Sequence, residues 1–287
     1  MMFLYDFLIF YNGGKAVLAG LSPYGVYDFN GPYPLAVLFA PLALLPMPLA
    51  YALYLAFTIG MLCRLLRRRA VWALLSFPVL FTLFVGQVDL PLTLGIGAVP
   101  WLLPLAIIKP QVGFVLAPWL VRRFSRRDWI KAAVTGLAFL ALCFALRPGW
   151  VSEWLAAVPS LQAYSVRDSN LYYMIPDEWI NLRLALIYGL AALAWVAAFF
   201  LKNKSASMTT AHLFAPLSNI YSASVLAEWI GPWEMAASYL AVVLVGGSIH
   251  AGMPMYLVGL VILARSYQIL PRLRKALFPT NVKTRQT

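Results

Sequence analysis

Residues 35–69 read LAVLFAPLALLPMPLAYALYLAFTIGMLCRLLRRR. No charge interrupts the stretch from Leu35 to Cys63, and Arg64, Arg67, Arg68 and Arg69 close it. A hydrocarbon layer of about 30 Å is crossed by about 20 apolar helical residues, so residues 35–62 are predicted to span a bilayer. Lys and Arg are retained on the cytoplasmic side of such spans, which directs this one inward and leaves residues 1–34 on the outer face.

The rest of the chain follows the same pattern. With 62% hydrophobic and 11% charged residues in 287, it carries more apolar surface than a soluble core can hide. The composition predicts an all-α polytopic membrane bundle of about eight spans with broken or re-entrant helices, residues 1–287 forming a single integral-membrane domain. The net charge of +12 comes from Lys and Arg in short clusters between apolar runs, clearest at 64–69, 122–131 and 202–204, as in cytoplasmic loops rather than a nucleic-acid-binding face. Cys63 and Cys143 lie inside apolar stretches and have no metal-ligand spacing.

Residues 70–86 should return outward and bring Gly86-Gln87-Val88-Asp89 to the outer interface. Residues 90–121 must cross an odd number of times, yet they are too few for three full spans. Pro91, Gly95, Gly97, Pro100, Pro104 and Pro110 divide them into short pieces that hold Lys109 and Gln111 near the outer side. Irregular backbone at that depth persists only against protein or a wet cavity. Residues 132–146 then go outward, 147–179 form an outer loop with an amphipathic piece at 151–164, and 180–201 return inward. Three full crossings after Lys204 would put the basic tail, which opens at Arg272, outside, against the charge rule. One segment is therefore expected to be re-entrant or broken, at 215–233, with Glu228 and Glu234 flanking an outer turn at 229–233. Residues 1–5 are too short for a span or a signal, so the pattern also predicts a helix ahead of Met1.

Polar groups kept beside membrane spans are costly and mark function. Asp6, which opens a polar cluster reaching Gly31, is the first candidate. Asp28 shares the cluster but stands in a Tyr-Asp-Phe-Asn-Gly turn, where polar residues serve local hydrogen bonds. Lys109 also reads as a snorkelling lysine, and Gln87 and Asp89 as caps of the next helix. Arg147, Arg167 and Asp168 are loop charges; His212 and His250 are isolated histidines. No phosphate loop, Walker motif or Asp-x-Asp pair occurs, which argues against a nucleotide-sugar enzyme or an ATP-driven pump and implies neither metal nor cofactor.

The order Asp6-Phe7, Ser22-Pro23-Tyr24, Tyr33-Pro34-Leu35, then Gly86-Gln87-Val88-Asp89 and Ile108-Lys109-Pro110-Gln111 resembles glycosyltransferase family 87, as does the weaker Ala215-Pro216-Leu217-Ser218. Where that family often carries a histidine after its Ser-Pro turn, this chain has Asn219-Ile220-Tyr221. The resemblance implies a GT-C type bundle in a bacterial plasma membrane, with its active site on the exoplasmic face. It would move a sugar, mannose above all, from a polyprenyl-phosphate donor to a lipid or glycan acceptor by inverting displacement. Such a transfer needs a base for the acceptor hydroxyl and a positive group for the departing phosphate. The resemblance assigns these roles to Asp6 and Lys109, with Gln111 beside the phosphate. Gln87, Asp89 and Asp28 would hydrogen-bond sugar or acceptor, and Tyr11, Tyr24 and Tyr33 would pack on sugar or isoprenoid.

Two other readings fit the sequence. A small transporter or lipid flippase would also place charges at helix breaks, but should show inverted repetition, and none of fixed period is present. A truncated, inactive relative would account for the short 87–109 stretch.

Overall fold

The computed structural model describes residues 4–25, 29–157, 177–215, 220–244 and 253–267, and all elements among them are helical. The first is α1 (Tyr5–Leu18), which pairs with α2 (Tyr33–Ala43) in a close hairpin. Glycines permit that approach: a Cβ at Gly14 would stand 2.8 Å from the Phe39 backbone, and one at Gly13 would stand 2.7 Å from the Phe29 ring. Small residues serve the same purpose wherever membrane helices touch closely.

The stretch 35–62 is not a single span. Its first part belongs to α2, its second to α3 (Met47–Leu66), and the chain breaks between them at Leu44–Pro46. Pro46 has no N–H to give and pushes Leu45 out of the helical region, whereas Pro48 stands at the second position of α3, where the missing donor costs nothing. Proline placement explains other boundaries too. α5 (Phe77–Val85) and α7 (Pro110–Val121) each begin with a proline in the first two positions, where the missing donor costs nothing. Between them lie α6 (Asp89–Ala98) and a 3-10 helix, Pro100–Ile108. A short α4 (Ala70–Leu75) joins α3 to α5 after the Arg67–Arg69 turn. Residues 90–121 thus run as three short pieces.

α8 (Arg126–Leu146) starts on a capping box, in which the Asp128 N–H donates to Ser125 Oγ and the Ser125 N–H to Asp128 Oδ2. Its 21 residues extend about 31 Å, the thickness of a hydrocarbon layer. Leu137, Val134 and Leu142 stand exposed along it, an apolar face suited to lipid and not to water. Among the described residues, the helical runs Met47–Leu75 and Arg126–Leu146 are long and apolar enough to cross a membrane, and the α5–α6 pair is apolar enough when taken together but is bent by 109° at its break. Tyr33–Ala43, Pro110–Val121, Leu184–Phe200 and Tyr256–Ser266 are shorter apolar helices among the described residues.

The basic clusters gather at one end. Arg122 donates to the Phe199 carbonyl at the close of α9 (Ile180–Phe200), 2.8 Å away. Lys204 opens α10 (Lys204–Leu213) and shares a cavity wall with Leu65 and Leu66 of α3. At the far end of α8, Arg147 pairs with Glu153 at 2.8 Å, Ser22 donates to the same carboxylate at 2.6 Å, and residues 20–22 dock there. The expected asymmetry of charge is therefore built into the fold.

The turn at 229–233, expected on the outer side, lies at the basic end, where Glu228 forms a 2.6 Å ion pair with Lys204. α10 begins at that end, the 3-10 helix Ile220–Trp229 ends there, and a new helix starts at Pro232, so the segment expected to be re-entrant or broken is broken. Thereafter α11 (Pro232–Leu244) and α12 (Met253–Ser266) form a hairpin. Arg265 reaches the Trp229 carbonyl and Glu234, and Ser266 meets Ser205, so α12 also ends at the basic end. Cysteines replacing Lys202 and, separately, Gly149, both exposed positions, in a Cys63→Ser, Cys143→Ala background, should label with an impermeant maleimide from opposite sides of the membrane. Labelling from one common side would contradict this arrangement.

Candidate functional site

The α5–α6 break centres the site. Gly86 ends α5 at φ +78°, and the N–H groups of both Gly86 and Gln87 bond the Thr82 carbonyl at 3.0 Å, a left-handed helix stop that glycine adopts without strain. Phe7 packs directly over that glycine, so that a Cβ there would lie 2.4 Å from the Phe7 Cβ. Phe7 in turn contacts the Tyr51 and Tyr54 rings of α3 at 5.0 and 5.5 Å. The close approach brings Asp6, in the first turn of α1, to Gln87. Gly86→Ala combines left-handed strain of about 1–2 kcal/mol with displacement of Phe7. It should lower stability by at least that amount and reduce transfer more than Gly60→Ala, a position with open space around it. Equal effects in an unfolding and activity comparison would refute this placement.

Gln87 is clamped on every side. Its carbonyl accepts from the Tyr54 hydroxyl, its Oε1 accepts from Lys109 Nζ at 3.1 Å and from the Val88 N–H at 3.3 Å, and its side chain hydrogen-bonds Asp6. Because Oε1 already serves Lys109, the amide N–H is the group donated to the Asp6 carboxylate. One amide thus ties an acid to a base. Burial pushes the Asp6 carboxyl up to about 6, against the opposing pull of Lys109 and of the Gln87 hydrogen bond. Asp6 still keeps part of its surface open.

Lys109 occupies the break between the 3-10 helix and α7, with φ −147°, and is largely buried. Asp89, wholly buried in the first turn of α6, faces its ammonium at 3.5 Å. Both stand one short helix away from the basic end, about 15–18 Å by rise per residue. A buried charge without a partner is untenable at such depth, so each supports the other.

The structure therefore brings together Asp6, Gln87, Asp89 and Lys109, four residues the sequence had singled out. Gln111 stands on the far side of Asp89. Its Oε1 is buried without a hydrogen-bond partner among the described residues, and it lines a small pocket with Asp89, Val115, His212 and Ser222. Tyr11 stacks on Phe7, but its hydroxyl donates to the Leu45 carbonyl at 2.7 Å, so it braces the α1–α2 hairpin. Tyr33 stacks on Trp150, and Tyr24 tilts against Phe29 with its hydroxyl buried. Asp28, Arg167, Asp168 and His250 lie outside the described residues. Arg147 is engaged by Glu153. Sequence reasoning passed over Tyr54 and read His212 only as an isolated histidine, because neither a tyrosine in an apolar span nor a lone histidine carries a signal without its neighbours.

Comparison with known proteins gives one positive result. The family model described as Glycosyltransferase family 87 matches residues 29–219. The match includes Gln87, Asp89, Lys109, Gln111 and His212; Asp6 lies ahead of it. No curated protein and no solved structure matches the chain.

Proposed function

The chain belongs to glycosyltransferase family 87 and is a membrane glycosyltransferase; on that premise we propose that it is of GT-C type and moves one sugar, mannose above all, from a polyprenyl-phosphate donor to an exoplasmic lipid or glycan acceptor. The acceptor hydroxyl gives its proton to the Asp6 carboxylate as its oxygen attacks the anomeric carbon. The bond from that carbon to the phosphate oxygen breaks on the opposite face, its electron pair leaves with the phosphate, and the configuration inverts. Lys109 receives the developing phosphate charge, for which a compact ammonium is suited. Gln87 sets the distance between the two, and Asp89 aims the ammonium.

The observation that carries this reading is the single Gln87 amide joining a raised-pKa carboxylate to a buried lysine. Basic clusters at the opposite end support an exoplasmic opening, since that end belongs in the cytoplasm by the charge rule. Asp89 is thereby reassigned from sugar ligand to counter-ion of Lys109.

Membranes carrying the protein, given radiolabelled polyprenyl-phosphate mannose, should yield labelled product and free polyprenyl phosphate, whereas control membranes should not. Sugar transfer direct from a nucleotide sugar after removal of lipid phosphates would overturn the donor assignment. Asp6 acts only when ionised, so kcat/KM should rise with pH through about 6 and fall about tenfold per unit below it. A rate flat from pH 5 to 8 would exclude Asp6 as the base.

A further inference from the structure

A second cavity, of about 170 Å³, opens at the basic end and is separate from the Asp6–Lys109 site. Its walls are apolar, with Leu66 from α3, Leu94 from α6, Leu116 from α7 and Met208 from α10. Two polar features break that lining. The Lys204–Glu228 ion pair stands at the mouth, where both side chains are part-exposed. Deeper in, Thr93 is 7% exposed, and its hydroxyl is buried without a hydrogen-bond partner among the described residues. Gly97, one helical turn beyond Thr93, also lines the cavity, and a Cβ there would meet no atom within 4 Å.

The charge around the mouth is one-sided. Leu65 and Leu66 on the cavity wall lie between Arg64 and the exposed Arg67–Arg69 turn, and Lys202 adjoins Lys204. Against these six basic side chains the same segments offer only Glu228. An apolar slot with a cationic mouth, set between helices at the end that charge bias assigns to the cytoplasm, complements a molecule with an alkyl tail and an anionic head.

The geometry points to a binding site for an anionic phospholipid of the leaflet at the basic end, with an acyl segment between α3, α6, α7 and α10 and the lipid phosphate at Lys204 in place of Glu228. The buried Thr93 hydroxyl gains a partner from an ester oxygen that follows the chain inward. Such a lipid would brace the basic end of α6, whose other end carries Asp89. The site does not depend on the reaction proposed above, because none of its lining residues belongs to the Asp6–Lys109 cluster.

The test uses the full chain in phosphatidylcholine nanodiscs containing a trace of phosphatidylglycerol with a diazirine in its acyl chain. Photolysis should place crosslinks on peptides containing residues 93–98 and Met208. Gly97→Leu, which fills the slot, should reduce those crosslinks about tenfold while leaving crosslinks on the exposed α8 face unchanged. Ala98→Leu serves as the second slot-filling variant, accepted only if its thermal midpoint matches the parent. Lys204→Gln with Glu228→Gln should lower the phosphatidylglycerol signal toward that of a diazirine phosphatidylcholine. Added inorganic phosphate should not compete. Crosslinks confined to outer helix faces, equal labelling by the two lipids, or full labelling in both folded slot-filled variants would overturn the assignment.

Discussion

Asp6→Asn is expected to leave the protein folded in the membrane and to lower kcat by about 10³ or more, the scale of losing a positioned base. Asparagine keeps the shape, and its Oδ1 still accepts the Gln87 amide N–H; only the proton acceptor is lost. Stability should move in the opposite direction. The folded state raises the Asp6 carboxyl from 3.8 to about 6, so it favours the neutral form. The contribution of Asp6 to stability is full below 3.8 and is lost as the pH rises through about 6. Above that range the carboxylate opposes folding and a neutral amide does not. Asp6→Asn should accordingly equal or exceed the parent in thermal midpoint at pH 7.5 and lose that advantage near pH 4. A variant both more stable and inactive identifies a group retained for chemistry. Retained transfer in purified material would end the base assignment, and a lowered midpoint at pH 7.5 would show that the carboxylate serves the fold.

The sequence made some of this legible because certain residues act locally. Ser125 and Asp128 start α8 by a mechanism contained within four residues, and the prolines at 78 and 110 start helices wherever they occur. Glycine and proline density was likewise enough to foresee that residues 90–121 run in short pieces and that the segment before Trp233 is broken. Other features rested on contacts between distant parts of the chain. Nothing near Leu44 distinguishes a proline that ends a helix from one that merely kinks it, so residues 35–62 read as one span. Glu228 looked like an outer-loop charge because its partner, Lys204, lies 24 residues away. At the site, the motifs picked out polar residues that the fold brings together but not how they pair. That Gln87 bridges Asp6 to Lys109, and that Asp89 serves the lysine, depends on where three helix ends converge, and Phe7 over Gly86 decides that. His212 reaches the Asp89–Gln111 pocket across more than a hundred residues of chain.

Lys109→Met should cost both stability and activity, and a second substitution separates the two. With Lys109 removed, the wholly buried Asp89 loses its counter-ion at 3.5 Å. Stranding one member of a buried pair costs about 3–5 kcal/mol, mostly as the penalty on the charge left behind. Asp89→Asn in the same chain removes that charge, so the double variant should recover to within about 1 kcal/mol of the parent, with strong coupling between the two positions. Transfer should not recover. The developing phosphate charge still lacks its ammonium, and the rate should remain at least about 10²-fold down, the scale of losing one preorganised electrostatic partner. Lys109→Arg tests shape against charge: it preserves the ion pair, yet a planar guanidinium cannot reproduce a point ammonium beside Gln87 Oε1, so it should fold normally and transfer poorly. A double variant that stays unstable would mean Asp89 has another role in the fold. One that regained transfer would show that Lys109 only balances a buried carboxylate, and the phosphate would then need a different cation.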